Sequence, residues 1–169
     1  MKVSPLTKEH WPDVALIYKE GIETYNATFR KTVPTWESWS TKCHKHSRFV
    51  VVDNDFEVLG WCALTPVSDR YEYRGVAEVS VYIKLSSTGK GIGSMLMQKL
   101  IESSGENNIW SLYSSMFPEN IGSIKLHEKY GFRKIGYREK IAELNGVWRD
   151  TVIYERRSKD VNYFDSLVF

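Results

Sequence analysis

The stretch "TGKGIGS", Thr88 to Ser94, lies between a strand-like run, "VAEVSVYI" (76–83), and a helix-like run that begins at Ile92. Glycines at 89, 91 and 93 leave little side chain between the main chain and whatever approaches it. The amides of Gly89 to Ser94 lead into a helix N-terminus, where N–H groups without helical partners and the helix dipole favour an anion. The dipole contributes roughly 0.3–1 kcal/mol to a charge held there, and Lys90 adds a cation. A tight strand-to-helix turn with glycines for conformation alone is the competing explanation. A P-loop needs G-x-x-x-x-G-K-S/T, but here the Gly-Lys pair is followed by Gly91. A dinucleotide fingerprint would place its third glycine at Ser94, and the next strand closes on Ser114 and Ser115 rather than an acidic residue.

Working outward, Val79, Val81 and Ile83 share one face of the strand and Glu78, Ser80 and Tyr82 the other. The helix after the glycines carries Ile92, Leu96 and Leu100 at i, i+4 and i+8 and is expected to stop at Gly105. Upstream, Thr7 can cap a helix over about 9–24, and Pro34-Thr35 opens a short one bearing Trp36 and Trp39. "RFVVVDNDFEVLGWCALTPV" reads as two strands joined at Asp53-Asn54-Asp55. Downstream come the strand "IWSLYSSMF", a helix from Asn120 to Gly131, and a hairpin of "KIAEL" and "VWRDTVIYE" turning at Asn145-Gly146. The result is an α/β chain in the order β-α-α-β-β-β-α-β-α-β-β.

The 169 residues suit one domain, over 1–157, with a charged and then aromatic tail over 158–169. A net charge of +2 with interleaved signs, as in Arg138-Glu139-Lys140, argues against nucleic-acid binding. Cys43 and Cys62 have neither metal-ligand nor disulfide-framework spacing, so no metal is expected. The N-terminus lacks an apolar leader and no run of 18 apolar residues occurs, which predicts a cytoplasmic protein with no membrane contact.

"VYIKLSSTGKGIGSMLMQKL" followed by "NIGSIKLHEKYGFRKIG" resembles the GNAT superfamily of acyl-CoA N-acyltransferases. Its Gln/Arg-x-x-Gly-x-Gly/Ala motif is matched by Gly91 and Gly93, with Thr88 standing where Arg or Gln is usual. "IYKEGIETYNATF", Trp36 with Trp39, "GWCALTPVSDRYEYRGVAEVSVYI", "SIKLHEKYGF" and "NGVWRDTVIYE" resemble its phosphinothricin acetyltransferase branch, over about 1–157. The resemblance implies a mixed, mostly antiparallel, twisted sheet flanked by helices, with a splayed central strand pair. It implies acetyl-CoA as co-substrate, its pyrophosphate held at Gly89, Lys90, Gly91, Ile92, Gly93 and Ser94.

By the same resemblance, Val81, Tyr82 and Ile83 offer backbone amides to the pantetheine arm and thioester carbonyl. Glu78, three residues earlier, is the candidate general base, its pKa raised by partial burial. In the second coenzyme motif Asn120 and Ser123 match and His127 replaces the usual tyrosine. His127 is a candidate acid for the leaving thiolate, with Tyr130 as the fallback and a helix-packing histidine as the plain alternative. Asn120 is expected on the coenzyme arm and Lys129 at its nucleotide end. Glu72, Tyr73 and Arg74 are expected to line the acceptor pocket, with Arg70 as a substitute and Phe29 as an apolar wall. The expected activity is acetylation of a small amino-acid-like amine, of phosphinothricin or methionine sulfoximine type, by direct attack in a ternary complex. A protein or peptide N-acetyltransferase and a non-catalytic acyl-CoA-binding module are the alternatives. A homodimer is expected, with Tyr163, Phe164, Leu167, Val168 and Phe169 either covering the partner or packing on their own subunit.

Overall fold

Alternation of apolar and polar residues over 76–83 makes a strand with two unlike faces, and the sheet is built around it. In the computed structural model, which describes residues 1–162, the chain order is β1 (Lys2–Pro5), α1 (Trp11–Glu23), α2 (Trp36–Lys42), β2 (Arg48–Val52), β3 (Val58–Pro66), β4 (Val76–Ile83), α3 (Ile92–Glu106), β5 (Ser111–Met116), α4 (Ile121–Lys129), β6 (Arg133–Leu144) and β7 (Val147–Arg157). Across the sheet the strands run β1-β2-β3-β4-β5-β7-β6. Only the β4–β5 contact is parallel; the other neighbours are antiparallel, as expected.

Both faces are covered. Val79, Cys62 and Leu64 pack with Leu96, Met97 and Leu100 of α3, while Val50, Trp61 and Ala63 pack under Val14, Ile17, Tyr18 and Trp39 of α1 and α2. That double burial explains the unbroken apolar run of β2: Phe49 and Val51 serve one core, Val50 and Val52 the other. Each such side chain contributes about 1.5–3 kcal/mol. Tyr82, expected beside a cleft, also stacks on Trp61 (centroids 4.6 Å, planes 7° apart).

Local chemistry sets the element ends. Thr35 Oγ1 accepts from the Ser38 amide at 3.2 Å and starts α2. Asn145 and Gly146 both have positive φ (49° and 81°), which a two-residue hairpin turn of this twist requires. The helix does not stop at Gly105. It continues to Glu106, and Asn108 (φ 57°) makes the left-handed turn, with Ile109 N–H donating to Ser104 O at 2.9 Å. Asparagine adopts this conformation more readily than other non-glycine residues. Beyond β7, Ser158 and Val161 are buried, and Ser158 N–H donates to Trp110 O at 2.8 Å. The aromatic residues 163–169 lie outside the described residues.

Ahead of β2, the His44 ring stacks on His46 at 4.9 Å. His46 Nδ1 meets Ser47 Oγ at 2.6 Å, and Ser47 Oγ meets Ser103 Oγ of α3 at 2.8 Å. Burial holds both imidazoles below the usual histidine range. The fold therefore prefers them neutral, and this stability is complete above the unfolded value of about 6.5 and lost as pH falls below it. A lower urea midpoint at pH 5.5 than at pH 7.5 is expected, with the difference reduced in a His44→Asn/His46→Asn variant. Equal midpoints would contradict it.

Candidate active site

β4 and β5 pair only at Val76–Ser111, Ala77–Leu112 and Glu78–Tyr113. Beyond Glu78 the strands diverge, while β3 stays paired with β4 through Ile83. The opening leads into a cleft of about 650 Å³ walled by α1, the 24–35 segment, β4, the end of β5 and α4. The Lys84 amide donates to Leu59 O at 2.9 Å, which fixes the β3–β4 hydrogen-bond parity. Strand alternation then turns the Val81 and Ile83 amides toward the opening. Tyr82, expected with them, turns its amide toward Trp61 of β3 instead.

The glycine turn has two jobs. Gly89 and Gly91 hold left-handed φ (78° and 82°), and a Cβ on either would meet nothing within 4 Å. The main chain is therefore bare on that side, and the Ile92, Gly93 and Ser94 amides begin α3 behind it. Gly93 instead allows close packing, since its Cβ would come to 3.0 Å from Ile83 Cδ1 and 3.1 Å from Leu126 Cδ2. The Thr88 hydroxyl donates back to Leu85 O at 3.0 Å and does not stand in for the missing Arg or Gln. Lys90 is exposed beside the turn, and Lys129 Nζ reaches Ser94 Oγ at 3.0 Å. These residues form a cationic, amide-rich turn with the properties a diphosphate needs.

Glu78 sits where the strands part, lines the cleft and is half-buried. Burial raises its carboxyl pKa, and Arg138 opposes the shift. Among the described residues lining the cleft it is the one carboxylate.

His127 is buried at the wall, with Nδ1 donating to Ser123 O at 2.8 Å and the ring edge-on to Phe132. Burial lowers its pKa, so the ring is neutral with its proton on Nδ1. Nε2 then offers a lone pair, and the proton-donor role expected for His127 is not available in this tautomer. Tyr130, the fallback, donates its OH to Ser94 O at 3.1 Å, which ties α4 to α3, and it is not among the residues lining the cleft.

Asn120 works inside the protein. Its Oδ1 caps α4 by accepting from Ser123 N (3.2 Å), and its Nδ2 donates to Asn26 O (3.0 Å). Arg149 adds a bond to Tyr25 O (2.8 Å) and an ion pair to Glu119 (3.1 Å). Together they latch the 24–35 segment to α4 and β7. Phe29 lines the cleft as expected, edge-on to Phe117 at 4.8 Å.

Glu72, Tyr73 and Arg74 do not reach the cleft. Glu72 pairs with Arg70, Arg70 lies over Tyr73, and Arg74 stacks on Tyr71 and Trp110 (4.1 and 5.1 Å). In their place the wall carries Tyr18, Thr28, Arg30, Lys42, Ser115 and Thr151, which the sequence reading missed. Only Arg30 had a signal, its position beside Phe29. Asn26 Oδ1, Trp61 Nε1, His127 Nε2 and Thr151 Oγ1 are buried in this wall with no protein partner, as suits a polar ligand.

Residues 14–132 match the family described as Acetyltransferase (GNAT) family. The chain belongs to this GNAT family. It is 36% identical over 115 residues to YwnH of Bacillus subtilis (strain 168), provisionally named a phosphinothricin acetyltransferase, over 67% of this chain and 71% of that one. It is 26% identical over 144 residues to an L-methionine sulfoximine/L-methionine sulfone acetyltransferase of Pseudomonas aeruginosa, over 82% and 84% of the two chains. The crystal structure of a GNAT superfamily phosphinothricin acetyltransferase from Sinorhizobium meliloti in complex with acetyl-CoA superposes with a TM-score of 0.85 at 22% identity, over 95% of this chain and 90% of that one. This GNAT protein is an acetyl-CoA-dependent N-acetyltransferase. Among the described residues no helix is long and apolar enough to cross a membrane, and no group of three metal-ligating side chains occurs.

Proposed function

We propose that the enzyme acetylates the amine of a small amino-acid-like acceptor by direct attack within a ternary complex. The observation that carries this reading is Glu78, the one carboxylate among the described residues lining the cleft, standing where β4 and β5 part with its pKa raised. The glycine turn and Lys129 hold the coenzyme's pyrophosphate. The Val81 and Ile83 amides face the opening, where they polarise the thioester carbonyl. Glu78 takes a proton from the acceptor ammonium, and the freed lone pair attacks the carbonyl carbon. As the amide forms, the C–S bond breaks, and the thiolate takes up the second proton released from nitrogen. No acidic side chain is required for that step.

Two observations support direct attack on a small acceptor. The Cys43 thiol at the cleft wall has its pKa raised by burial, which disfavours a covalent acetyl-enzyme. The latched 24–35 segment narrows the approach for a peptide. Exposed Ile135, Tyr137, Ile141, Val147 and Trp148 on the β6–β7 hairpin support the homodimer expected from the resemblance.

The test follows thiol release from acetyl-CoA against phosphinothricin, methionine sulfoximine, free amino acids, polyamines and peptides. Turnover with the amino-acid-like compounds is expected. Turnover only with polyamines or peptides would overturn the acceptor class, and acetyl-CoA binding without release would favour a binding module.

A further inference from the structure

Two cations line the cleft among the described residues, Arg30 and Lys42, against the single carboxylate of Glu78. Arg30 projects from the latched 24–35 segment and joins none of the ion pairs of the described residues. Its side chain is exposed and its amide donates to Thr28 Oγ1 at 3.1 Å. An uncompensated guanidinium at a cleft wall is poised for an anion, and its planar fork suits a carboxylate.

The placement of the charges is informative. Tyr18 of α1, packed against Trp61 of β3 and Tyr82 of β4, lies within the electrostatic reach of both Arg30 and Glu78. The Arg30 charge also reaches Tyr82 and Cys43. A cation and a carboxylate thus flank one stretch of the cleft, beside Tyr18. An α-amino acid carries the complementary pair on a single carbon. Arg74, expected by resemblance to line the acceptor pocket, has its guanidinium bonded to Tyr71 O and stacked on Tyr71 and Trp110.

We propose that Arg30 is the acceptor-specificity residue, binding the α-carboxylate of an amino-acid substrate while Glu78 receives its ammonium. This rests on the acceptor class proposed above. The latch from Asn120 and Arg149 to the 24–35 segment then sets the distance between the two charges.

The test compares wild type, Arg30→Gln, Arg30→Lys, Lys42→Gln and Arg74→Gln with L-methionine sulfoximine and with its carboxamide. Arg30→Gln is expected to raise the KM of the free acid about tenfold or more, the loss of a charge-assisted pair. The KM of acetyl-CoA should stay unchanged, which also verifies folding, and Arg30→Lys should recover part of the loss. With the carboxamide, which lacks the charge, wild type and Arg30→Gln should converge. An acceptor KM within twofold of wild type in Arg30→Gln, or the same loss in Lys42→Gln or Arg74→Gln instead, overturns the role of Arg30 and leaves the acceptor class intact. No turnover of any amino acid by the wild type overturns both.

Discussion

Replacing Glu78 by glutamine is expected to lower thiol release from acetyl-CoA by about 10²–10⁴-fold, the range associated with one positioned proton acceptor. Glutamine keeps the shape of the side chain and removes only its basicity. The KM of acetyl-CoA should therefore hold within twofold, because the proposed pyrophosphate site lies beyond the other end of β4. Burial disfavours the ionised carboxylate, so the amide should cost no stability, and a thermal melt separates lost chemistry from lost folding. In the wild type, kcat should rise with pH through an apparent pKa above the ordinary glutamate value of about 4.3. The sign follows from the role: the base works only when deprotonated, and burial moves that transition upward. Glu78→Gln should lose this limb. Turnover within fivefold of wild type would remove Glu78 from the mechanism.

The second large effect is expected at Gly91. Its φ of 82° is left-handed, and the space a Cβ would take, in place of one α-hydrogen, is open to 4 Å. Valine there is strained by about 1–3 kcal/mol, as a branched residue in a region it rarely enters. For a domain of this size each kcal/mol shifts Tm by about 2–4 °C. The same side chain intrudes on the bare main chain in front of α3. The KM of acetyl-CoA should rise more than tenfold while the acceptor KM changes little. Gly105→Ala offers the contrast: it lies in the helix with no neighbour within 4 Å of a Cβ, and alanine should stabilise by up to about 1 kcal/mol. If Gly91→Val lowers Tm but leaves acetyl-CoA affinity intact, the glycines serve conformation alone.

Much of the architecture was legible because it is written in local chemistry. Thr35, Asn120 and Asn145-Gly146 each mark an element end through bonds within a few residues. The central strand was legible from its period of two, and the bare turn ahead of α3 from its glycine spacing. What failed depends on the path of loops in space. The 71–73 turn carries Glu72 and Tyr73 away from the cleft, and no spacing rule encodes that direction. Arg30 entered through a segment whose position is set by Asn120 and Arg149, about 90 and 120 residues away in the chain. The helix stop moved from Gly105 to Asn108 because asparagine shares a conformational preference usually credited to glycine. β6 begins at Arg133, seven residues before the expected "KIAEL", since it is exposed on both faces and shows no alternation.

The parting of β4 and β5 leaves the left and right parts of the sheet joined by three residue pairs in a parallel ladder. In the proposed ternary complex the coenzyme and the acceptor enter at that seam, so filling it would be equivalent to supplying the missing rungs. Saturation with acetyl-CoA should therefore slow deuterium uptake on both banks of the seam, at Val79–Ile83 and Ser114–Met116, more than anywhere on β1 or β2. In that complex the enzyme would finish its own sheet with its reactants.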